Sequence, residues 1–225
     1  MRSQLILLLL SAVCANAATF NYGFDFVGYA NDYAFDCLKS HNYETPFIRV
    51  YQKDNRGEID AYAVGNYRKA AARSMPTELF AELDPVSNKT AGQQIQEIVN
   101  YVRANMYDLP GLWIKVVDTT AWTSDASYNF RFIQDAIKEI HAQGIRAGIH
   151  TNFMDWSMIT GGSNTNMEAE MIWYQSNSGV GGEGQSYSNY NDWRPFANFT
   201  DPMVKQYGVA IVECTLLINR NCYQP

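Results

Sequence analysis

Apolar and polar positions change period several times along this chain, and the changes mark out alternating strands and helices. Residues 22–27 and 46–51 are short β-rich runs separated by a polar connection at 40–45. Helical patterning follows each of them, over 32–40 and 62–73. Thr90, followed three residues later by Gln93, reads as a capping box. The helix it opens carries Ile95, Ile98, Val99, Val102 and Met106 at helical spacing. Residues 112–117 form an apolar strand broken by one lysine. A helix over 127–142 aligns Phe130, Ile133, Ile137 and Ile140, stops at Gly144, and gives way at once to a strand over 145–150. From 161 to 198 Ser, Asn, Gly and Tyr dominate around one strand at 169–175, and a long β-rich run follows at 208–218. Buried, non-alternating strands between amphipathic helices predict an α/β fold with a parallel sheet or barrel. Few helices follow residue 161, so the expected architecture is an irregular TIM-like β/α barrel, one domain whose last third is strand and loop. A site in such a barrel lies at the C-terminal ends of the strands.

The first residues read as an address. Arg2 gives a positive start, residues 5–13 are a leucine-rich apolar run, and Ala15-Asn16-Ala17 supplies a small-x-small cleavage pattern. The expectation is a signal peptide over 1–17, a mature domain over 18–225, and a secreted, extracellular protein. No stretch approaches the ~18 consecutive apolar residues of a membrane span. With Cys14 in the leader, Cys37, Cys214 and Cys222 remain, which allows at most one internal bridge. The absence of a Cys-x-x-Cys removes zinc knuckles and thioredoxin-type chemistry, and neither a metal nor a cofactor is expected. Asn88-Lys89-Thr90 and Asn198-Phe199-Thr200 are candidate N-glycosylation sites.

The net charge is −6, from 17 Lys+Arg against 23 Asp+Glu, and no basic run occurs, so nucleic-acid binding has no electrostatic footing. The 15 Tyr and 5 Trp suit either buried packing with a polar tip or a surface that stacks against sugars. Gly179-Val180-Gly181-Gly182-Glu183-Gly184 satisfies the dinucleotide pattern formally, but it lies between two polar loops rather than between a strand and a helix, and reads as a flexible loop. His41 and His141 read as solvated, whereas His150 ends a strand, where a structural role is favoured over lining a barrel mouth. Sugar hydrolysis needs two carboxyl groups, one protonated and one ionised. Asp25, at the C-terminal end of the first strand and on one face with Gly23 and Val27, is the best single candidate. Glu82, Asp84 and Asp118 are candidate partners.

A series of motifs then appears in order: Tyr22-Gly23-Phe24-Asp25, Ala34-Phe35-Asp36-Cys37, Phe47-Ile48-Arg49-Val50-Tyr51, Leu112-Trp113, Ala121-Trp122, Trp156-Ser157, Ile172-Trp173-Tyr174 and Lys205-Gln206-Tyr207. Together they resemble the nematode and Entamoeba-type lysozymes of glycoside hydrolase family 25, over about residues 20–223. The resemblance implies an irregular β/α barrel, secretion, muramidase action on bacterial peptidoglycan and a part in innate defence. It also exposes a departure. Where the family carries Trp-Leu-Asp-x-Glu on its fourth strand, with the Glu as proton donor, this chain reads Trp113-Ile114-Lys115-Val116-Val117. A further family Asp falls at Asn219, so Asp25 alone survives of four acids. Valine cannot donate a proton, and lysine has the wrong sign to stabilise an oxocarbenium-like transition state.

The leading expectation is therefore a secreted lysozyme-like protein with little or no turnover, bound to bacterial cell-wall glycan. One alternative is a lectin-like protein that holds glycan with Trp156, Trp173, Tyr174 and His150. Another is an active hydrolase with relocated acids, Glu82 or Asp118. Lys115 is expected to pair with Asp25, or failing that with Glu82. A barrel sets its last strand beside its first, so Cys37 is expected to bridge to Cys214, held in a strand, rather than to Cys222 near a loose end.

Overall fold

The computed structural model describes residues 19–106, 109–164 and 167–225. The expected signal segment, with Cys14, lies outside the described residues. The elements run β1 (Asn21–Phe26), α1 (Asp32–Ser40), β2 (Tyr43–Gln52), β3 (Glu58–Ile59), α2 (Ala63–Ala72), β4 (Glu78–Ala81) and α3 (Ala91–Asn105). They continue with β5 (Gly111–Lys115), α4 (Ala126–Ala142), β6 (Arg146–Thr151), α5 (Phe153–Thr160), β7 (Met171–Gln175), β8 (Val204–Glu213) and β9 (Leu216–Tyr223).

The barrel closes in the order β1-β2-β4-β5-β6-β7-β8-β9, with β9 returning to β1. Strands β1, β2 and β4 to β8 pair in parallel around the barrel, the short β3 lies antiparallel on β2, and β9 is antiparallel to both of its neighbours. All five α-helices precede β7, which makes the last third strand and loop. Among the described residues no helix is long and apolar enough to cross a membrane.

Local chemistry accounts for the helix starts. The Thr90 hydroxyl accepts from the Gln93 N–H, and the Gln93 side chain accepts from the Thr90 N–H, closing the capping box of α3. Asn31, Asp125 and Asn152 cap α1, α4 and α5 through the side-chain oxygen alone, which accepts from the N–H of Ala34, Tyr128 and Asp155. The buried face of α3 (Ile95, Ile98, Val99, Val102) and that of α4 (Ile133, Ala136, Ile137, Ile140) pack over the outward side chains Leu112, Ile114, Ala147 and Ile149. Alternation along the strands sends the opposite set inward. Phe47, Phe80, Trp113, Met171, Trp173 and Val204 form a separate cluster that fills the barrel. Gly148 faces Trp113 on the neighbouring strand, and a Cβ there would fall inside the indole.

Several expectations needed correction. The segment at 40–45 is not all connection, because β2 already starts at the buried Tyr43. The strand predicted over 112–117 ends at Lys115. Strand β4 and helix α5 were not anticipated. The run 208–218 is not one strand but the two arms of the β8–β9 hairpin, which turns at Cys214 and Thr215 with φ of 53° and 63°. A disulfide joins Cys37 of α1 to Cys214, with their Cα atoms 5.7 Å apart. Cys214 thus sits in a turn rather than a strand. Cys222 is no loose-end residue: it is buried in β9, and burial pushes its thiol up to about 12.

Candidate functional site

Inward alternation brings Asp25 of β1, Lys115 of β5, His150 of β6, Gln206 of β8, and Asn219 and Asn221 of β9 into one polar layer above the aromatic cluster. Asp25 is 1% exposed. Its Oδ1 accepts from Gln206 Nε2 at 2.7 Å and Asn221 Nδ2 at 2.9 Å. Its Oδ2 accepts from Asn219 Nδ2 at 2.8 Å and from Lys115 Nζ at 3.3 Å. Four donors from three other strands thus enclose a buried carboxylate, which is how such a charge is kept at tolerable cost. Lys115 Nζ also lies over the Phe80 ring, 4.6 Å from its centroid.

His150 is buried and stacks on Trp173, with ring centroids 4.0 Å apart and planes 11° apart. Among the described residues neither of its ring nitrogens has a hydrogen-bond partner. Burial holds its pKa well below 6.5, and the Lys115 charge pushes the same way. The ring is therefore neutral beside the ammonium.

The other sequence candidates lie elsewhere. Glu82 accepts from Arg49 at 2.8 Å, and the same guanidinium binds Asp60 and Gln52. Asp84 is buried and accepts from the Val86 N–H. Asp118 is exposed and bound to Lys53 at 2.7 Å; this bond, followed by that of Thr120, lowers its pKa. Val117 lies beyond the end of β5, and its carbonyl accepts from the Trp122 indole. Of the four positions at which the resemblance puts acids, Asp25 accepts directly from Lys115 and Asn219, and Val117 takes no part in that network.

The aromatic candidates also divide. Trp156 is buried between Phe130 and Phe199, and Trp173 is enclosed in the barrel with its indole on Asn221. Neither ring offers a free face for a sugar, because both are consumed by packing. Tyr174 is also buried, but its hydroxyl reaches Asp192 at 2.8 Å on the wall of a groove of 500 Å³. This groove lies at the C-terminal ends of β6 and β7. Phe153 and Met154 of α5 line one side, and Trp193, Phe196 and Asp192 the other. Phe153 and Met154 are more than half exposed.

Lys205, wholly buried on the outer face of β8, pins the far loop by donating to Asp192 and to the carbonyls of Tyr187 and Asn189. Asp155, in the first turn of α5, has a raised pKa through burial, which the hydrogen bond from Asn152 opposes and the nearby charge of Asp118 adds to in smaller measure. The sequence reading missed Gln206, Asn221, Asp155 and the Phe153–Trp193 groove. The polar residues at every second position of β9, Asn219 and Asn221, were the available signal for the first two.

A closed barrel with a returning antiparallel strand and a polar layer at its C-terminal mouth is the architecture of glycoside hydrolase family 25. The structure is similar to a family 25 lysozyme from Aspergillus fumigatus, with a TM-score of 0.68 over 92% of this chain and 95% of that one at 13% identity. A muramidase from Acremonium alcalophilum gives 0.66 over 91% and 93%, at 14% identity. The family model described as lysozyme-like protein 1 matches residues 16–207. The chain belongs to this lysozyme-like protein family. It is 31% identical to lysozyme-like protein 2 of Caenorhabditis elegans over 92% of its own length and 75% of the relative's. It is 28% identical to the probable GH family 25 lysozyme 5 of Dictyostelium discoideum over the whole of both chains.

Proposed function

We propose that this chain binds bacterial cell-wall glycan in the manner of its lysozyme-like relatives and hydrolyses it little or not at all. The observation that carries this reading is the environment of Asp25. Both of its oxygens accept from the barrel's own donors, Lys115, Gln206, Asn219 and Asn221, which leaves no oxygen directed at a substrate. Lys115 and Val117 occupy the positions of the family's acid pair. Two further carboxylates at the mouth, Glu82 and Asp118, are each paired with a cation.

Binding draws support from the groove between α5 and the Trp193 segment, where exposed apolar and aromatic faces alternate with amide and carboxylate groups. That combination suits a pyranose, with its flat apolar face and hydroxyl rim. The N-terminal leader pattern supports export, and an exported binder of bacterial wall fits a role in defence. Asn88 and Asn198 are both exposed, as glycan acceptors must be.

One observation favours a second reading, a hydrolase with relocated acids. Asp155 has a raised pKa while the neighbouring Asp118 has a lowered one, the division of labour that an acid and an ionised partner require. The deciding experiment incubates the purified protein with insoluble peptidoglycan, measuring the bound fraction and the release of reducing ends. Retention on the wall without release supports the binder. Release abolished by Asp155→Asn and Asp118→Asn supports the hydrolase. Failure to sediment with peptidoglycan at all overturns the proposal.

A further inference from the structure

A second cavity lies at the opposite end of the barrel, where the parallel strands begin. It encloses 260 Å³, somewhat below the roughly 300–1,000 Å³ of sites for drug-sized ligands. Its floor is the underside of the inner cluster, Phe47, Trp113, Met171 and Val204. Thr45 and Tyr223 share a 2.6 Å hydrogen bond on one wall.

Two opposite charges stand on this cavity. Glu78 starts β4 and accepts from the Trp113 indole N–H at 2.8 Å through Oε2. Burial raises its pKa, and the Arg146 charge partly offsets that. Arg146 starts β6 and is exposed; among the described residues its guanidinium makes no hydrogen bond or ion pair. The two groups do not form a salt bridge with one another, so they are more than 4.0 Å apart while lining the same space. A carboxylate with a spare oxygen and an uncommitted guanidinium, held apart over an apolar floor, complement a small molecule that carries both charges on an apolar body.

We propose that this end of the barrel is a binding site for a free α-amino acid with an apolar side chain, its ammonium on Glu78, its carboxylate on Arg146 and its side chain against Phe47, Trp113 and Met171. The site is independent of the glycan groove, since it lies at the other end of the strands. The guanidinium presents a flat fork that matches a carboxylate. The aromatic floor accepts an aliphatic or aromatic side chain and gives nothing to glycine.

The test titrates L-phenylalanine into the intact protein by calorimetry, while NMR follows the methyl signals of Met171 and Met203. Saturable binding with shifts confined to those methyls is expected. Phenethylamine, which lacks the carboxylate, and 3-phenylpropanoate, which lacks the ammonium, should each bind roughly tenfold or more weakly, as should glycine. Glu78→Gln keeps an acceptor for Trp113 and should reduce phenylalanine affinity by a similar factor. Arg146→Met, at an exposed position, should do the same. No binding of phenylalanine at millimolar concentration overturns the proposal. So does equal binding of phenethylamine, or full affinity in Arg146→Met.

Discussion

The ammonium of Lys115 lies 3.3 Å from the carboxylate of Asp25, at the level where the barrel opens. Both side chains are buried or nearly so, with 10% and 1% exposure. A pair in that setting contributes little net stability, because desolvation offsets the attraction, yet removing one partner strands the other. Lys115→Ala should therefore destabilise the domain by about 3 kcal/mol. The three amide donors left on Asp25 keep the loss from being larger. The double variant Asp25→Asn, Lys115→Met should recover most of it. Urea denaturation of the two variants checks this, and a near-neutral Lys115→Ala would show that the amides alone carry the carboxylate.

His150 supplies a pH signature. Its folded pKa lies well below the ordinary 6.5, through burial first and the Lys115 charge second. Between the folded and unfolded values the unfolded chain binds the extra proton, so stability rises with pH across that window. The contribution is complete above 6.5 and is lost as pH falls below it, at up to about 1.4 kcal/mol per pH unit. Asp118 and Glu213, whose pKa values are lowered, act only at more acid pH. His150→Phe keeps the stack on Trp173 and should flatten the pH 5–6.5 slope in denaturation midpoints. An unchanged slope would assign it to other groups.

Much of this architecture is readable in the sequence, and the failures have physical causes. The α3 helix was legible because Thr90 and Gln93 announce its start and its apolar face keeps one period. The β8–β9 hairpin was not, since its turn uses Cys214 and Thr215 at positive φ where Gly, Asn or Asp would be the signal. Asp25 and the Lys115 and Val117 replacements stand out by position and charge. The donors Gln206 and Asn221 lie 181 and 196 residues from Asp25 in sequence, a proximity that only barrel closure creates. Trp156 and Trp173 stayed undecided in the sequence because the same residue type serves a sugar platform and a core.

That distinction predicts opposite outcomes for two aromatic substitutions. Phe153 is 62% exposed on the groove, and Trp173 is fully enclosed. Phe153→Ala should lower peptidoglycan binding by roughly three- to tenfold, the worth of one stacking face, with no change in melting temperature. Trp173→Ala should cost about 3–5 kcal/mol of stability by opening a cavity in the barrel. Sedimentation binding and thermal melts, run side by side, separate the two. Loss of binding in neither variant would move the glycan surface elsewhere.

The bridge between Cys37 and Cys214 closes a loop of 177 residues. Removing it should cost about 5 kcal/mol from chain entropy alone. Cys37→Ser and Cys214→Ser should not be equivalent. The second also alters a residue held at φ 53°, next to a β-branched Thr215 at φ 63°, in a turn that the bridge helps to hold. Replacing Cys214 and Thr215 together by Asn-Gly, which favours such turns, should recover part of the lost stability in the reduced background. Equal stability of that variant and Cys37→Ser would show that the turn carries no strain.

The last prediction concerns catalysis itself. Lys115→Asp, Val117→Glu and Asn219→Asp restore the family's acids, but the structure makes their roles unequal. Lys115→Asp both returns an acid and frees Asp25 Oδ2 from its cation. Asn219→Asp removes a donor from that oxygen and sets a third carboxylate beside it, which raises the proton affinity of the group. Asn219 also accepts from the Ala210 N–H, a bond that an aspartate preserves. The triple variant should therefore be less stable than the parent by a few kcal/mol, with much of the loss recovered at acid pH, where the crowded carboxylates protonate. It should release reducing ends from peptidoglycan at a rate above the parent's background, and adding Asp25→Asn should abolish that release. A folded triple variant that remains inert would mean that more than the acids has been lost from the groove. Lysis by the unmodified protein that survives Asp25→Asn and falls with Asp155→Asn would locate the chemistry on α5 instead.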